Sequence, residues 1–375
     1  MLKSKLNGGN LIKAINTFAV STVRYTAGIF QWNQEELQTL DRMTRKLLTM
    51  HGALHPKSDV DRLYVERGKG GRGLMSIEEV VKDEERSLQS YTNASAEVVM
   101  QAASEVIKFR YGDASKKDRY GAWSEKAMHG QFLQQTQGIR SEAESWLWLK
   151  RGFLKRETES LVAAAQDQAL RTNYRRANIE KDGTSPTCRM CHQGYETVSH
   201  IVAECSKLAQ NDYKARHDKV ATAVHWCLSK KYGLHHSEKW YHHRAEAVCE
   251  NDDAKLYWDF NVYTDRVIEA RRPDIILLKK KENECLVIDI AVPGDARVQS
   301  KEEEKSEKYQ ELCREIQKLW RVKCKVIPVV IGALGTIPLR LSAYLGLLDI
   351  DLSIETVQQS VILGTARILR KVLDM

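Results

Sequence analysis

Apolar positions recur with a helical period through most of the chain, and the period shortens to two only beyond Ala254. Leu11 to Phe30 reads as one helix, apolar over much of its surface. Asn33 with Glu36 forms a capping box for a second helix, which carries Leu37, Leu40, Leu47 and Leu48 inward. Glu78 to Ser90 and Ala94 to Arg110 read as further helices. Trp123 to Asn173 is helical in pattern almost throughout, with Trp146, Leu147, Leu149, Phe153 and Leu154 as core. Gly183-Thr184-Ser185-Pro186 breaks the pattern, and a helix returns from Asp212 to Lys230 with His217, Val220, Val224 and Cys227 along one face.

Leu256, Trp258, Phe260 and Val262 alternate with polar partners, as in a half-buried strand. Arg271 to Leu278 and Cys285 to Val292 read as two short strands joined by a polar, lysine-rich turn. A helix from Val298 to Trp320 follows, its stripe made by Tyr309, Leu312, Ile316, Leu319 and Trp320. Val326 to Ile331 is a further strand, and Asp351 to Leu373 a closing amphipathic helix. This order predicts an α/β protein, helical in its N-terminal half, with a sheet flanked by helices in its C-terminal part.

Each strand of the predicted hairpin carries one aspartate in an apolar run, Asp274 and Asp289. An antiparallel pairing brings the two side by side. Buried carboxylates need a positive partner, and hard oxygen ligands suit Mg²⁺ or Mn²⁺. Paired acids of this kind serve metal-dependent phosphodiester cleavage, in which a lysine usually completes the site. In the common Pro-Asp…Asp/Glu-x-Lys arrangement that lysine lies two residues beyond the second acid, where this chain has Ala291. The helix that follows supplies the substitute. Lys308 is placed along its buried edge as the catalytic lysine, or else as a snorkelling side chain, with Tyr309 as its neighbour. Lys301 and Lys305 are assigned to a solvated face among Glu302, Glu303, Glu304 and Glu307.

Cys188-x2-Cys191-x8-His200-x4-Cys205 offers three thiolates and one imidazole, a closed tetrahedral set for a structural Zn²⁺. Such a loop would present Lys181, Arg189 and Lys207 to nucleic acid. His235, His236, His242 and His243 around Trp240 lack ligand spacing and read as a surface cluster. Arg67-Gly68-Lys69-Gly70-Gly71-Arg72-Gly73 lacks the Walker spacing and reads as a flexible basic loop rather than a nucleotide site.

Lysine and arginine number 58 against 50 acids, a net charge of +8, which leans toward a nucleic-acid partner. The most apolar run, Val326 to Leu339, holds two prolines and is too short to span a bilayer. The first residues lack a continuous apolar stretch, so secretion is not expected and the 8 cysteines belong in a reducing compartment.

The series Trp258-Asp259-Phe260, Arg272-Pro273-Asp274-Ile275, Asp289-Ile290-Ala291-Val292-Pro293-Gly294-Asp295 and Glu307-Lys308-Tyr309 resembles the restriction-like endonuclease of site-specific non-LTR retrotransposon proteins, in which the nuclease follows a Cys-Cys-His-Cys knuckle. Met128-His129-Gly130-Gln131 and Ala164 to Leu170 resemble the helical linker of that family. Arg24 to Ile29 and Leu40-Asp41-Arg42 resemble the region around the polymerase thumb. The aromatic-x-Asp-Asp motif of a polymerase palm is missing, so the chain looks like the part that follows the polymerase active site, and reverse transcription is not expected of it.

The resemblance implies residues 1–95 as thumb-like, 96–182 as linker, 183–232 as knuckle with its following helix, and 233–375 as a nuclease of PD-(D/E)XK type. It further implies an Mg²⁺-dependent DNA-nicking enzyme. Asp274 and Asp289 would hold the metal, Lys308 would position the water, and Tyr309 would support the site or touch substrate. The target is DNA, element RNA is a second partner, no membrane is involved, and the compartment is nuclear because the substrate is. The rival is a catalytically silent, nucleic-acid-binding knuckle remnant; a weaker third reading is a stand-alone junction-cutting or repair nuclease.

Overall fold

The structure is a computed structural model that describes residues 1–106, 111, 116–152 and 154–374. The expected core residue Phe153 and the end of the expected Ala94 to Arg110 helix lie outside the described residues. The chain forms two compact units, Met1–Gln131 with Leu149–Ala169, and Phe132–Trp148 with Leu170–Met375. The segment expected as a linker is thus shared between both units, while the cysteine cluster belongs to the same unit as the sheet. Among the described residues no helix is long and apolar enough to cross a membrane.

The first unit is helical. In α1, Gln34–Met50, the Asn33 side chain accepts from the Glu35 amide while Glu36 accepts from the Asn33 amide, the expected capping box. Leu37 and Leu48 are buried, but Leu47 points to solvent. The apolar stripe takes in a buried acid instead. Asp41 accepts from the Ile77 amide and from the Ser76 hydroxyl, which places its charge at the N-terminus of α2, Ile77–Ala94.

The glycine-rich turn is not a loose basic loop. Arg67 and Arg72 both bind Glu159 of α3, Arg156–Gln166, at 2.7 Å, and Glu159 is fully buried. Gly71 lets that turn close, because a Cβ there would sit 2.0 Å from the Val65 carbonyl oxygen. Nearby, Arg62 donates to Asp167 at 2.7 Å and to the carbonyls of Gly70 and Ala163. The two arginines of this turn are spent inside the unit, while Lys69 is exposed.

The second unit is a mixed α/β fold around a five-stranded sheet in sequential order: β1 Val248–Glu250, β2 Ala254–Trp258, β3 Ile275–Lys279, β4 Glu284–Ala291 and β5 Lys323–Val330. The first four strands pair antiparallel, and β5 joins β4 in parallel. Pro328 is tolerated because β5 is an edge strand. Helices cover both faces. α4, Lys214–Lys231, α7, Leu341–Leu348, and α8, Ile354–Leu373, share one core with Ile275, Leu277, Leu286, Ile288 and Ile290. On the other face Ile276, Cys285 and Val287 meet Leu312, Cys313 and Ile316.

The helix expected from Val298 to Trp320 is two helices, α5, Val298–Lys308, and α6, Gln310–Trp320, broken at Tyr309, where φ is −103° and ψ 8°. The alternation expected through Val262 stops at Asp259, whose φ of 47° turns the chain. Buried Gln358 of α8 bonds the Trp148 amide and the carbonyls of Ser145 and Gly335, which ties residues 132–148 into this unit.

Candidate active site and metal cluster

The β3–β4 register sets Ile275 opposite Ile288, so the next step places Asp274 opposite Asp289. The pleat that sends Ile275 and Ile288 into the α4 core sends both acids to the face of Ile276, Val287 and Tyr309. Asp274 lies just ahead of β3 and is pinned there. Its carbonyl accepts from the Asp259 amide at 2.8 Å, and Arg272 in turn donates to the Asp259 carboxylate at 2.7 Å. The Trp258-Asp259-Phe260 and Arg272-Pro273-Asp274 stretches therefore meet in space.

The two acids have different surroundings. Asp289 is 2 % exposed; its Oδ1 accepts from the Tyr309 hydroxyl at 2.7 Å, and its Oδ2 is ion-paired with the Lys305 ammonium. Asp274 Oδ2 accepts from the Ile290 amide at 2.7 Å and from His217 Nε2 at 3.1 Å. Burial and then the charge of Asp274 push the Asp289 carboxyl above the usual range, against the pull of Lys305 and Tyr309. Asp274 is moved down: burial opposes this, but His217, the Ile290 amide and Lys305 prevail. Burial, followed by the charge of Asp289, raises the Tyr309 hydroxyl well beyond its ordinary value, so it stays a proton donor. The two carboxylates stand side by side, and their oxygen chemistry fits Mg²⁺ or Mn²⁺.

Lys308 is not the lysine on the acids. It is exposed, with Nζ 3.2 Å from the Tyr309 hydroxyl and 4.8 Å from the ring centre, and reaches Asp289 only through that hydroxyl. Lys305, assigned from sequence to a solvated face, occupies the inner position. The helix break explains the exchange. Phase carried back from Leu312 and Ile316 is lost at Tyr309, whereas within α5 itself Val298, Glu302 and Lys305 fall on one buried edge. That shorter stripe was the available signal.

His217 is the other residue that sequence reasoning passed over as a functional group. Its Nε2 faces both Asp274 Oδ2 and the Ile290 carbonyl at 3.1 Å, and its Nδ1 lies 3.0 Å from the Asp218 carboxylate. All three neighbours are acceptors, so both nitrogens carry protons. Burial alone would lower the imidazole's pKa; Asp274 and Asp218 outweigh it and raise it to about 9.

Cys188, Cys191, His200 and Cys205 are brought together as spaced. Their ligand atoms all lie within 4.8 Å of one another, a group that could hold a metal ion. The Cys188 amide donates to the Gly194 carbonyl, and the left-handed His192 (φ 55°) completes the turn that aims the first two thiols inward. Glu196 is fully buried and accepts from the Arg189 amide and guanidinium and from the Asn173 amide. Arg189 is therefore a brace of the loop rather than a hand offered to nucleic acid; Lys181 and Lys207 are exposed. The Tyr213 hydroxyl joins the loop from α4's side, accepting from the Cys205 amide at 3.1 Å and donating to the Ile201 carbonyl at 2.7 Å. The remaining cysteines are free thiols.

The histidine patch divides. His235, His236 and His242 are exposed, but His243 is buried with its Nε2 2.8 Å from His225 Nδ1. A buried pair in such contact is most stable neutral. Burial first, and His243 second, lower His225 to about 3. No protein-family model matches the chain, and no curated protein matches it.

Proposed function

We propose that the second unit is a metal-dependent DNA endonuclease of the restriction-like type found in non-LTR retrotransposons, with the Cys-Cys-His-Cys cluster as a structural Zn²⁺ site. The observation that carries the proposal is the convergence of Asp274 and Asp289 from paired strands with Lys305 from α5. The mixed sheet with its parallel β4–β5 pair and helices on both faces supports the fold assignment.

In this reading Asp274 and Asp289 hold one Mg²⁺ or Mn²⁺, which would supply the field that polarises a scissile phosphate and acidifies a water. Tyr309 fixes one oxygen of Asp289. Lys305 offsets the site's negative charge and, released from Asp289 Oδ2, orients a water by hydrogen bonding. Lys308 sits outside, placed to meet a phosphate of the DNA backbone. The net positive charge favours the phosphates of DNA or RNA, which makes binding salt-sensitive. Nuclear residence follows from that substrate.

The rival reading, a nucleic-acid-binding protein without cleavage, draws on the same lysine. Lys305 already neutralises Asp289, and an acid pair closed by its own ammonium is a stable resting arrangement. Plasmid nicking with Mg²⁺ or Mn²⁺ separates the two. Wild type nicks, while Asp274→Ala and Asp289→Ala lose nicking by about a thousand-fold or more and keep DNA affinity within a few-fold. Cleavage that survives in both variants removes the site; no cleavage by wild type at any metal concentration favours the rival. Zinc analysis should give about one ion per chain, and none after Cys188→Ser with Cys191→Ser.

A further inference from the structure

We infer that His217 is a positioning residue for the metal-binding face of Asp274, held in place by the cysteine cluster. The inference rests on the nuclease reading and adds to it a residue from a helix on the opposite side of the sheet.

Three contacts on the first turn of α4 make the argument. Tyr213, just before the helix, seals the backbone of His200, Ile201 and Cys205 with its hydroxyl. Arg216 is 2 % exposed, lies over the Tyr213 ring at 5.1 Å, and donates to the Thr365 hydroxyl at 2.8 Å and to the Val292 carbonyl at 3.3 Å. His217, one turn beyond Tyr213, then meets Asp274. The metal loop, the end of β4 and the acid are thereby linked through a single helical turn.

The geometry gives His217 a definite task. Asp274 Oδ2 is held from two sides, by His217 Nε2–H and the Ile290 amide, so the carboxylate cannot rotate freely about its χ2 bond. With Oδ2 held in this way, the direction of the other oxygen is fixed as well. His217 itself cannot turn, because the same Nε2–H is shared with the Ile290 carbonyl and Nδ1 is engaged by Asp218. Partners of this kind fix the direction of a ligating carboxylate, and their loss typically costs about 10- to 100-fold in metal affinity.

The test is calorimetric Mn²⁺ binding to the full chain, first saturated with zinc so that only the acid pair is free to bind. Wild type binds with an affinity that Asp289→Ala abolishes. His217→Ala weakens that binding by about ten-fold or more. His217→Gln, whose amide N–H takes the place of Nε2–H, recovers most of it. Melting temperature and zinc content, read on the same samples, stay close to wild type in His217→Gln, which separates positioning from a general folding defect. Equal Mn²⁺ affinity in wild type and His217→Ala overturns the inference while leaving the nuclease reading intact. Weakening by alanine with no recovery in glutamine also overturns it, because a hydrogen bond was then not the cause. Absence of any Mn²⁺ binding that depends on Asp289 overturns both.

Discussion

Both units bury carboxylates, and Glu159 and Asp167 of the first are treated differently from Asp274 and Asp289 of the second. Glu196, also in the second unit, is braced by Arg189 much as Glu159 is by its arginines. In the first unit Glu159 receives two guanidiniums, Arg67 and Arg72, and buried Asp167 receives Arg62 and the Asp59 amide. At these two acids positive charge matches or exceeds negative charge, and burial does not prevent Glu159 from staying below its usual pKa, since Arg72 and Arg67 more than offset it. In the second unit Asp274 and Asp289 face each other, Lys305 pairs with Asp289 and His217 with Asp274, and Asp289 is pushed up nonetheless. A buried acid alone is therefore no sign of function. Two acids set side by side, one of them held above its usual range despite its own lysine, are such a sign.

That contrast breaks if either region behaves like the other. The largest effect is expected at Glu159. Glu159→Ala leaves two guanidiniums without their acid and should destabilise the first unit by about 3–5 kcal/mol, read by urea denaturation. A loss below about 1 kcal/mol, the value of an exposed pair, would mean that these ions are not structural. Asp289→Asn should do the reverse. Removing one of two repelling charges should leave the melting temperature unchanged or higher, while nicking falls by at least about a hundred-fold. Destabilisation on the scale of Glu159→Ala would place Asp289 among the structural ions.

The His225–His243 pair offers a third and smaller handle, since it is buried neutral. The unfolded imidazole takes up a proton near 6.5, and the folded one only near 3. Between those values the unfolded state binds more protons, so stability rises with pH and is lost as pH falls through that window. The slope should approach about 1.4 kcal/mol per pH unit for this group. His225→Phe should flatten it, as followed by denaturation at pH 4, 5 and 6, values chosen to fall roughly within that window. An unchanged slope would show that other groups set the acid limit.

Legibility from sequence followed the same divide between local and assembled features. The Cys188 to His200 to Cys205 spacing and the Asn33–Glu36 capping box lie within a few turns of chain, and both formed as read. The facing of Asp274 and Asp289 was legible because strand alternation carries across a short hairpin. Lys305 was missed because helical phase does not survive the break at Tyr309. β1 was missed because it is three residues long with only Cys249 buried. The Arg67 to Gly73 turn misled for a different reason: its partner Glu159 is remote in sequence, and nothing local announces a buried ion pair.

The central claim is that Asp274, Asp289 and Lys305 act as one unit on a phosphodiester, and single-turnover nicking tests it most directly. Lys305→Ala should slow cleavage by about a hundred-fold or more, and Lys308→Ala by less than about ten-fold. Because groups that act together are not additive, Asp289→Ala combined with Lys305→Ala should be no slower than Asp289→Ala alone. Near wild-type cleavage by Lys305→Ala, with Lys308→Ala inactive, would contradict the account.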